Sequence, residues 1–73
     1  MTVLHSINNP DGSLCVDIFR RDDASIGFEE FRRDPEDPGR GWYAVGGYSN
    51  ARFGDVETAM AAATDCVAWF NGI

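Results

Sequence analysis

Lysine is missing from this chain of 73 residues, and histidine occurs once. The six basic side chains are therefore all arginines, and they stand against twelve aspartates and glutamates, for a net charge of −6 at pH 7. A surface this acidic repels the phosphates of nucleic acid and of anionic membranes, although a local patch of arginines is compatible with it. We therefore predict no membrane partner, and nucleic acid is a less favoured partner than another protein.

Long apolar runs are also missing. No segment approaches the roughly 18 apolar residues that indicate a membrane span. Residues 2–7 are too few and too polar to form the apolar part of a signal peptide. These absences predict a soluble, cytoplasmic protein.

Metal and cofactor motifs are absent from the sequence as well. No spacing of cysteine and histidine fits a zinc site, and the acids at Asp34, Glu36 and Asp37 lack the repeating pattern of a calcium-binding EF-hand. The Gly46-Gly47 pair is not followed by the start of a helix, as a phosphate site would require. We therefore predict neither a metal nor a cofactor.

Catalytic candidates are limited to His5 and Cys15. A three-residue loop in the first hairpin would set His5 opposite Asp17, with Cys15 one pair away on the same face. A catalytic Cys–His pair is one interpretation, but an ordinary cross-strand charge pair accounts for the same residues. The sequence therefore predicts no catalytic residue and no enzymatic activity. Cys15 and Cys66 are interpreted as two buried, reduced thiols, with a disulfide between them as the alternative.

The strongest pattern in the chain is a helical one near its end. Apolar residues recur there in steps of three and four, which is the repeat of one face of an α-helix. They are Val56, Ala59, Met60, Ala63, Cys66, Val67 and Phe70. The pattern predicts a helix over residues 55–71, with Asp55 as its N-cap and Asn71-Gly72 as its end.

The rest of the chain has strand character. The predicted strands are residues 2–8, 13–21, 26–34 and 41–51. Asn9-Pro10-Asp11-Gly12 predicts a tight turn between the first two, with Gly12 at positive φ. Pairing Ile18 with Phe28 gathers the apolar side chains of the second and third strands on one face. The same register sets Phe19 opposite Gly27, and it places two acids, Asp17 and Glu29, opposite each other.

These elements predict a single β-β-β-β-α domain over residues 1–73. The fold class is α+β: an antiparallel meander of three to four strands with one C-terminal α-helix packed on one face. That face carries Leu14, Val16, Ile18 and Phe28, and the fourth strand adds either Trp42 and Ala44 or Tyr43 and Val45.

The passage into the helix resembles a known arrangement. Phe53, followed by Glu57, Ala59 and Ala63, is similar to the strand-to-helix passage of plant AP2-type and integrase arm-type DNA-binding domains, over about twenty residues. The resemblance implies a three-stranded sheet with a terminal helix, and it rests on how the helix packs.

The second face of the sheet has no helix to cover it. The predicted registers place Phe19 and Phe31 there, with Arg21 and Arg33 at its edges, and Val3 and Ile7 as further apolar candidates. Such a face can stack single-stranded nucleic acid, bind another protein or bury itself against a second copy. We predict a small acidic, non-catalytic interaction or regulatory module that self-associates as a homodimer. Nucleic-acid binding through the aromatic and arginine side chains of this face is the alternative.

Overall fold

The computed structural model describes residues 1–72, and Ile73 lies outside the described residues. Four antiparallel strands form one sheet in the order β1-β2-β3-β4, and a single α-helix near the C-terminus packs on it. The α+β fold class is therefore confirmed. The elements are β1 (Thr2–Asn8), β2 (Leu14–Arg20), β3 (Ile26–Arg32), a 3-10 turn (Pro38–Arg40), β4 (Tyr43–Ala44), α1 (Val56–Cys66) and a second 3-10 segment (Ala68–Gly72).

The core lies between the sheet and α1. Ile18 and Phe28 face each other across β2 and β3, and both are almost fully buried. The helix contributes Ala59 and Ala63, whose small side chains let α1 approach the sheet closely. The buried cluster consists of Val16, Ile18, Ile26, Phe28, Ala59, Ala63, Val67 and Phe70.

The register between β2 and β3 is the predicted one. Ile18 pairs with Phe28, and Phe19 pairs with Gly27. A Cβ at Gly27 would lie 2.8 Å from the Phe19 ring, so the bare backbone is what lets this ring lie flat on the sheet. Asp17 does stand opposite Glu29.

Strand β1 differs from the prediction because the first loop has four residues instead of three: Asn9 bonds to Leu14, and Ile7 pairs with Val16. Ile7 therefore packs against the core, and a β-bulge between Val3 and His5 returns the strand to the predicted register at Val3. The expectation that Ile7 lies on the outer face is therefore wrong, whereas Val3 stays opposite Phe19 and is half exposed.

Strand β4 is only two residues long, because the chain leaves the sheet at the Gly46-Gly47 pair. Gly47 has φ +73°, which only glycine adopts readily, and the turn brings Tyr48 back over the core. The Tyr48 ring stacks on Phe28 with centroids 4.9 Å apart. The core is thus filled beyond β4 by Tyr48 and Phe53 and by neither of the residue pairs expected from the fourth strand.

Helix α1 begins as predicted and ends early. The Asp55 carboxylate accepts a hydrogen bond from the backbone N–H of Thr58 at 2.8 Å, so Asp55 is the N-cap. The helix stops at Cys66, which is exposed, so its predicted burial is wrong. An extended Val67 and the following 3-10 segment redirect the chain, and this redirection lets Phe70 reach the core.

Both hairpin turns contain a residue at positive φ. Gly12 has φ +77°, as predicted, but the corresponding residue of the second turn is Ala24, with φ +72°. A side chain at this φ is strained by its Cβ. We expect Ala24→Gly to raise the free energy of unfolding by about 1 kcal/mol in urea melts. Gly12→Ala is the reciprocal control and should lower it; stabilisation by both substitutions would contradict the strain argument.

Candidate functional site

A half-open pocket of about 320 Å³ lies on the sheet face that points away from α1. Every strand of the sheet or its flanking loop contributes to its wall. The lining residues, called here the outer pocket, are Ser6, Asn8, Cys15, Asp17, Phe31, Arg33 and Trp42. Its volume is at the lower end of the range found for small-molecule sites in proteins.

One end of the outer pocket is polar. Ser6 stands opposite Asp17 in the β1–β2 pair, and its hydroxyl donates to Asp17 Oδ1 at 2.7 Å. The Cys15 thiol donates to the same oxygen at 3.2 Å and lies 3.2 Å from the Ser6 hydroxyl. Among the described residues, no hydrogen bond uses Asp17 Oδ2, so that oxygen remains an acceptor for other molecules.

The surroundings of Cys15 keep its thiol protonated. Burial raises the pKa of this thiol above its ordinary value, and the neighbouring Asp17 carboxylate raises it further. An activated cysteine needs the opposite environment, with a lowered pKa beside a cation or histidine. His5 is paired with Ile18 instead of Asp17, so it does not share the face of Cys15, and the Cys–His interpretation is wrong. The cluster is arranged for hydrogen bonding.

The other end of the outer pocket is aromatic and basic. Phe31 pairs with Cys15 on β2 and is partly exposed. The Arg33 guanidinium lies over the Trp42 ring, with its carbon 4.8 Å from the ring centre, and its Nη2 donates to the Gly12 carbonyl at 3.1 Å. Trp42 itself is 40% exposed. A flat ring can stack here beside a positive charge.

The predicted interaction face divides into two parts. Phe31 and Arg33 line the outer pocket, but Phe19 and Arg21 do not. Phe19 is buried within the chain, at 5% exposure, so the expectation that it needs a second molecule as cover is wrong.

The Arg21 side chain packs over the Phe19 ring and shields it from solvent. Its guanidinium carbon lies 5.0 Å from the centre of the Phe19 ring. Nη2 donates to the backbone carbonyls of Ser49 and Ala51, the latter at 3.1 Å. Arg21 thus joins the second turn of the sheet to the segment before α1.

Glu29 is a structural acid whose role no sequence pattern indicated. It is 2% exposed, and its carboxylate accepts hydrogen bonds from the backbone N–H groups of Tyr48 and Ser49, both at 3.1 Å, and from the Ser49 hydroxyl. The N–H of Glu30 adds a further bond at 2.8 Å. Asp17 and Glu29 lie on the same face of the sheet, but different parts of the chain supply their hydrogen-bond donors: β1 and β2 for Asp17, and β3 and the segment after β4 for Glu29.

Strand β1 forms an open edge of the sheet. The N–H of Asn9 donates to the Leu14 carbonyl at 2.9 Å, which fixes the alternation of bonded and non-bonded pairs along β1. By that alternation, the backbone groups of Ser6 and Asn8 point away from β2. The strand has no aspartate, glutamate, lysine or arginine, although charged side chains commonly protect such edges.

The opposite edge of the sheet is covered by its own chain. Val45 donates its N–H to the Glu30 carbonyl at 3.0 Å, beyond the end of β4. Ile26 and Phe53 then exchange two backbone hydrogen bonds, of 2.9 and 2.8 Å. Along β3, the segment that leads to α1 therefore takes the place of a longer fourth strand.

Comparison with known proteins finds no match for this chain among protein-family models, curated proteins or solved structures. Within residues 1–72, no helix is long and apolar enough to cross a membrane. In the same part of the chain, no three side chains of histidine, cysteine, aspartate or glutamate are grouped as a metal site would need.

Proposed function

We propose that this protein is a non-catalytic interaction module that self-associates by pairing strand β1 of one copy with β1 of a second. The observation that carries the proposal is the open edge of β1, with its outward N–H and C=O groups and its lack of charge. Unpaired strand edges of this kind are templates for pairing with another chain.

The bulge and the backbone directions define one arrangement of the two strands. The bulge lies between Val3 and His5, so the regular part of the edge is residues 5–8. An antiparallel pair centred on Ile7 sets Ser6 of one copy opposite Asn8 of the other, and both residues present outward N–H and C=O groups. The contact is two-fold symmetric, so it requires only that the β1 edge be complementary to itself.

Two features support an interaction module over an enzyme or a nucleic-acid-binding domain. The raised pKa of Cys15 works against a thiolate nucleophile. Two of the guanidinium groups also bind oxygen atoms of this chain. Arg21 binds loop carbonyls, and Arg52 forms an ion pair with Asp23 at 2.6 Å. Nucleic-acid binding, the alternative function, therefore has fewer free cations and a net charge of −6 against it.

A proline at Ser6 tests the proposed edge. Ser6→Pro removes the outward N–H without removing a β1–β2 backbone bond, and Ser6→Ala is the matched control because it loses the same hydroxyl. We expect the wild-type chain and Ser6→Ala to be dimers at high micromolar concentration by light scattering. Ser6→Pro should be a monomer with an unchanged circular dichroism spectrum.

Two results would overturn this assignment. A monomeric wild-type chain at high micromolar concentration would exclude self-association. A dimeric Ser6→Pro variant that keeps the fold would exclude the β1 edge as its site. Salt-dependent binding of oligonucleotides by the wild-type chain, with a steep loss of affinity as salt rises, would instead favour the nucleic-acid alternative.

A further inference from the structure

The outer pocket has a polar acceptor at one end, a cation at the other and aromatic side chains between them. Along β2, Asp17 and Cys15 are two residues apart, and Phe31 is the cross-strand neighbour of Cys15. Arg33 follows two positions after Phe31 on the same face, so the order of these groups along the sheet is fixed by the pairing. A ligand that fills the pocket must present matching groups in that order.

The acceptor end selects for hydrogen-bond donors. Asp17 Oδ1 already accepts from Ser6 and Cys15, and these bonds hold the carboxylate in place. Oδ2 is left to accept from a ligand, and Asn8 also lines the pocket. A ring edge with adjacent N–H and NH₂ groups, as in guanine, suits a carboxylate, whereas the acceptor nitrogen on the adenine edge is repelled by it.

The part of the outer pocket formed by Phe31, Trp42 and Arg33 favours a flat ring with an anionic substituent. Phe31 and Trp42 both line the pocket and are accessible, so they offer stacking surfaces. The Arg33 guanidinium uses Nη2 on the Gly12 carbonyl, and its other N–H groups remain available. A planar guanidinium is well suited to bind a phosphate.

We propose that the outer pocket binds a free guanine mononucleotide, with the base edge on Asp17, the ring against Phe31 and Trp42, and the phosphate on Arg33. A single guanosine within a nucleic-acid strand carries the same chemistry. The net charge of −6 disfavours a polyanion, so the free nucleotide is the expected ligand. Ser6 and Asn8 belong to both surfaces. Nucleotide binding would use side chains of the outer pocket, whereas self-association would use the backbone groups of β1, so the two proposals are tested separately.

Calorimetric titration of the wild-type chain with GMP, AMP and guanosine tests the ligand. We expect GMP to bind at least tenfold more tightly than AMP, which lacks the donor edge, and than guanosine, which lacks the phosphate. Equal affinity for GMP and AMP would overturn the assignment of the base edge. Absence of GMP binding at millimolar concentration, or tighter binding of a single-stranded guanosine-containing oligonucleotide, would overturn the proposal of a free nucleotide.

Two variants test which group of the nucleotide lies at each end of the outer pocket. Asp17→Asn should lower GMP affinity at least tenfold and reduce the preference for GMP over AMP. Arg33→Ala should weaken GMP but leave guanosine unchanged. Arg32→Ala removes the same charge from an exposed neighbour on the other face of β3, so it should leave GMP affinity within about twofold. Equal losses in Arg33→Ala and Arg32→Ala would contradict a phosphate contact, and thermal melts confirm that each variant is folded.

Discussion

Phe28→Ala is expected to lower the free energy of unfolding by about 3–5 kcal/mol, which is the usual loss for a fully buried phenylalanine. Phe28 is 1% exposed, its ring stacks on Tyr48, and it lies 5.8 Å from the ring centre of Phe53. Its removal therefore leaves a cavity where β3, the segment before α1 and the helix meet. A domain of this length has a total stability of roughly 4–11 kcal/mol, so the loss removes at least about a quarter of it.

Urea melts of Phe28→Ala, with Asp65→Ala as control, measure this loss. Asp65 is exposed on α1, and its truncation should change the free energy of unfolding by less than about 0.5 kcal/mol. A loss of less than about 1 kcal/mol in Phe28→Ala would mean that the three rings do not form one packed unit.

Glu29→Gln is expected to cost about 2–3 kcal/mol although it changes the side chain by a single group. Hydrogen bonds to a charged acceptor contribute more than neutral ones, and the amide replaces one carboxylate oxygen with an NH₂ group that must face either the N–H of Glu30 or those of Tyr48 and Ser49. Glu36→Gln, on the exposed loop after β3, is the matched control and should be nearly neutral.

The same carboxylate makes stability depend on pH. Burial would raise the pKa of Glu29, but hydrogen bonds from Ser49, Glu30 and Tyr48 outweigh it, and the pKa lies below its ordinary value of 4.5. A lowered pKa stabilises the fold fully above the unfolded-state value and loses that effect as pH falls through the folded-state value. In urea melts between pH 7 and 3, the free energy of unfolding should therefore fall less steeply with decreasing pH for Glu29→Gln than for the wild-type chain. Parallel curves would contradict a stabilising ionised Glu29.

The β2–β3 pair was predictable because one register gathers most of its apolar side chains on one face. Only one register places Ile18 and Phe28 on the same face and Phe19 over Gly27, and the structure has that register. The first turn was predictable for a similar reason, since Gly12 follows Pro10 and Asp11 in an order that few other conformations accept.

The β1 register was not predictable, because the same turn residues fit loops of three and of four residues, and the bulge at Leu4 has no glycine or proline to mark it. The early end of α1 has no local signal either: Cys66 and Val67 continue the helical repeat, and the break follows from packing of the segment that contains Phe70.

The candidate site depends on contacts between distant parts of the chain. Trp42 reaches Arg33 only because the loop after β3 returns to the outer face. Glu29 is bonded to backbone groups about twenty residues later, and the sequence pattern carries no information about such partners. The Gly46-Gly47 pair marks this region in the sequence, and a Cβ at Gly46 would clash with the Tyr48 ring and the Glu29 carboxylate.

The two tryptophans lie in separate parts of the molecule, and each has its own neighbour. Trp69 donates its indole N–H to Glu30 at 2.8 Å and meets the edge of Phe70, whereas Trp42 lies under Arg33 on the other face of the sheet. The protein therefore has two tryptophan fluorophores that report different events. In a Trp42→Phe variant, tryptophan fluorescence comes from Trp69 and reports docking of the C-terminal segment alone. In a Trp69→Phe variant, it comes from Trp42 and reports only changes at the outer pocket.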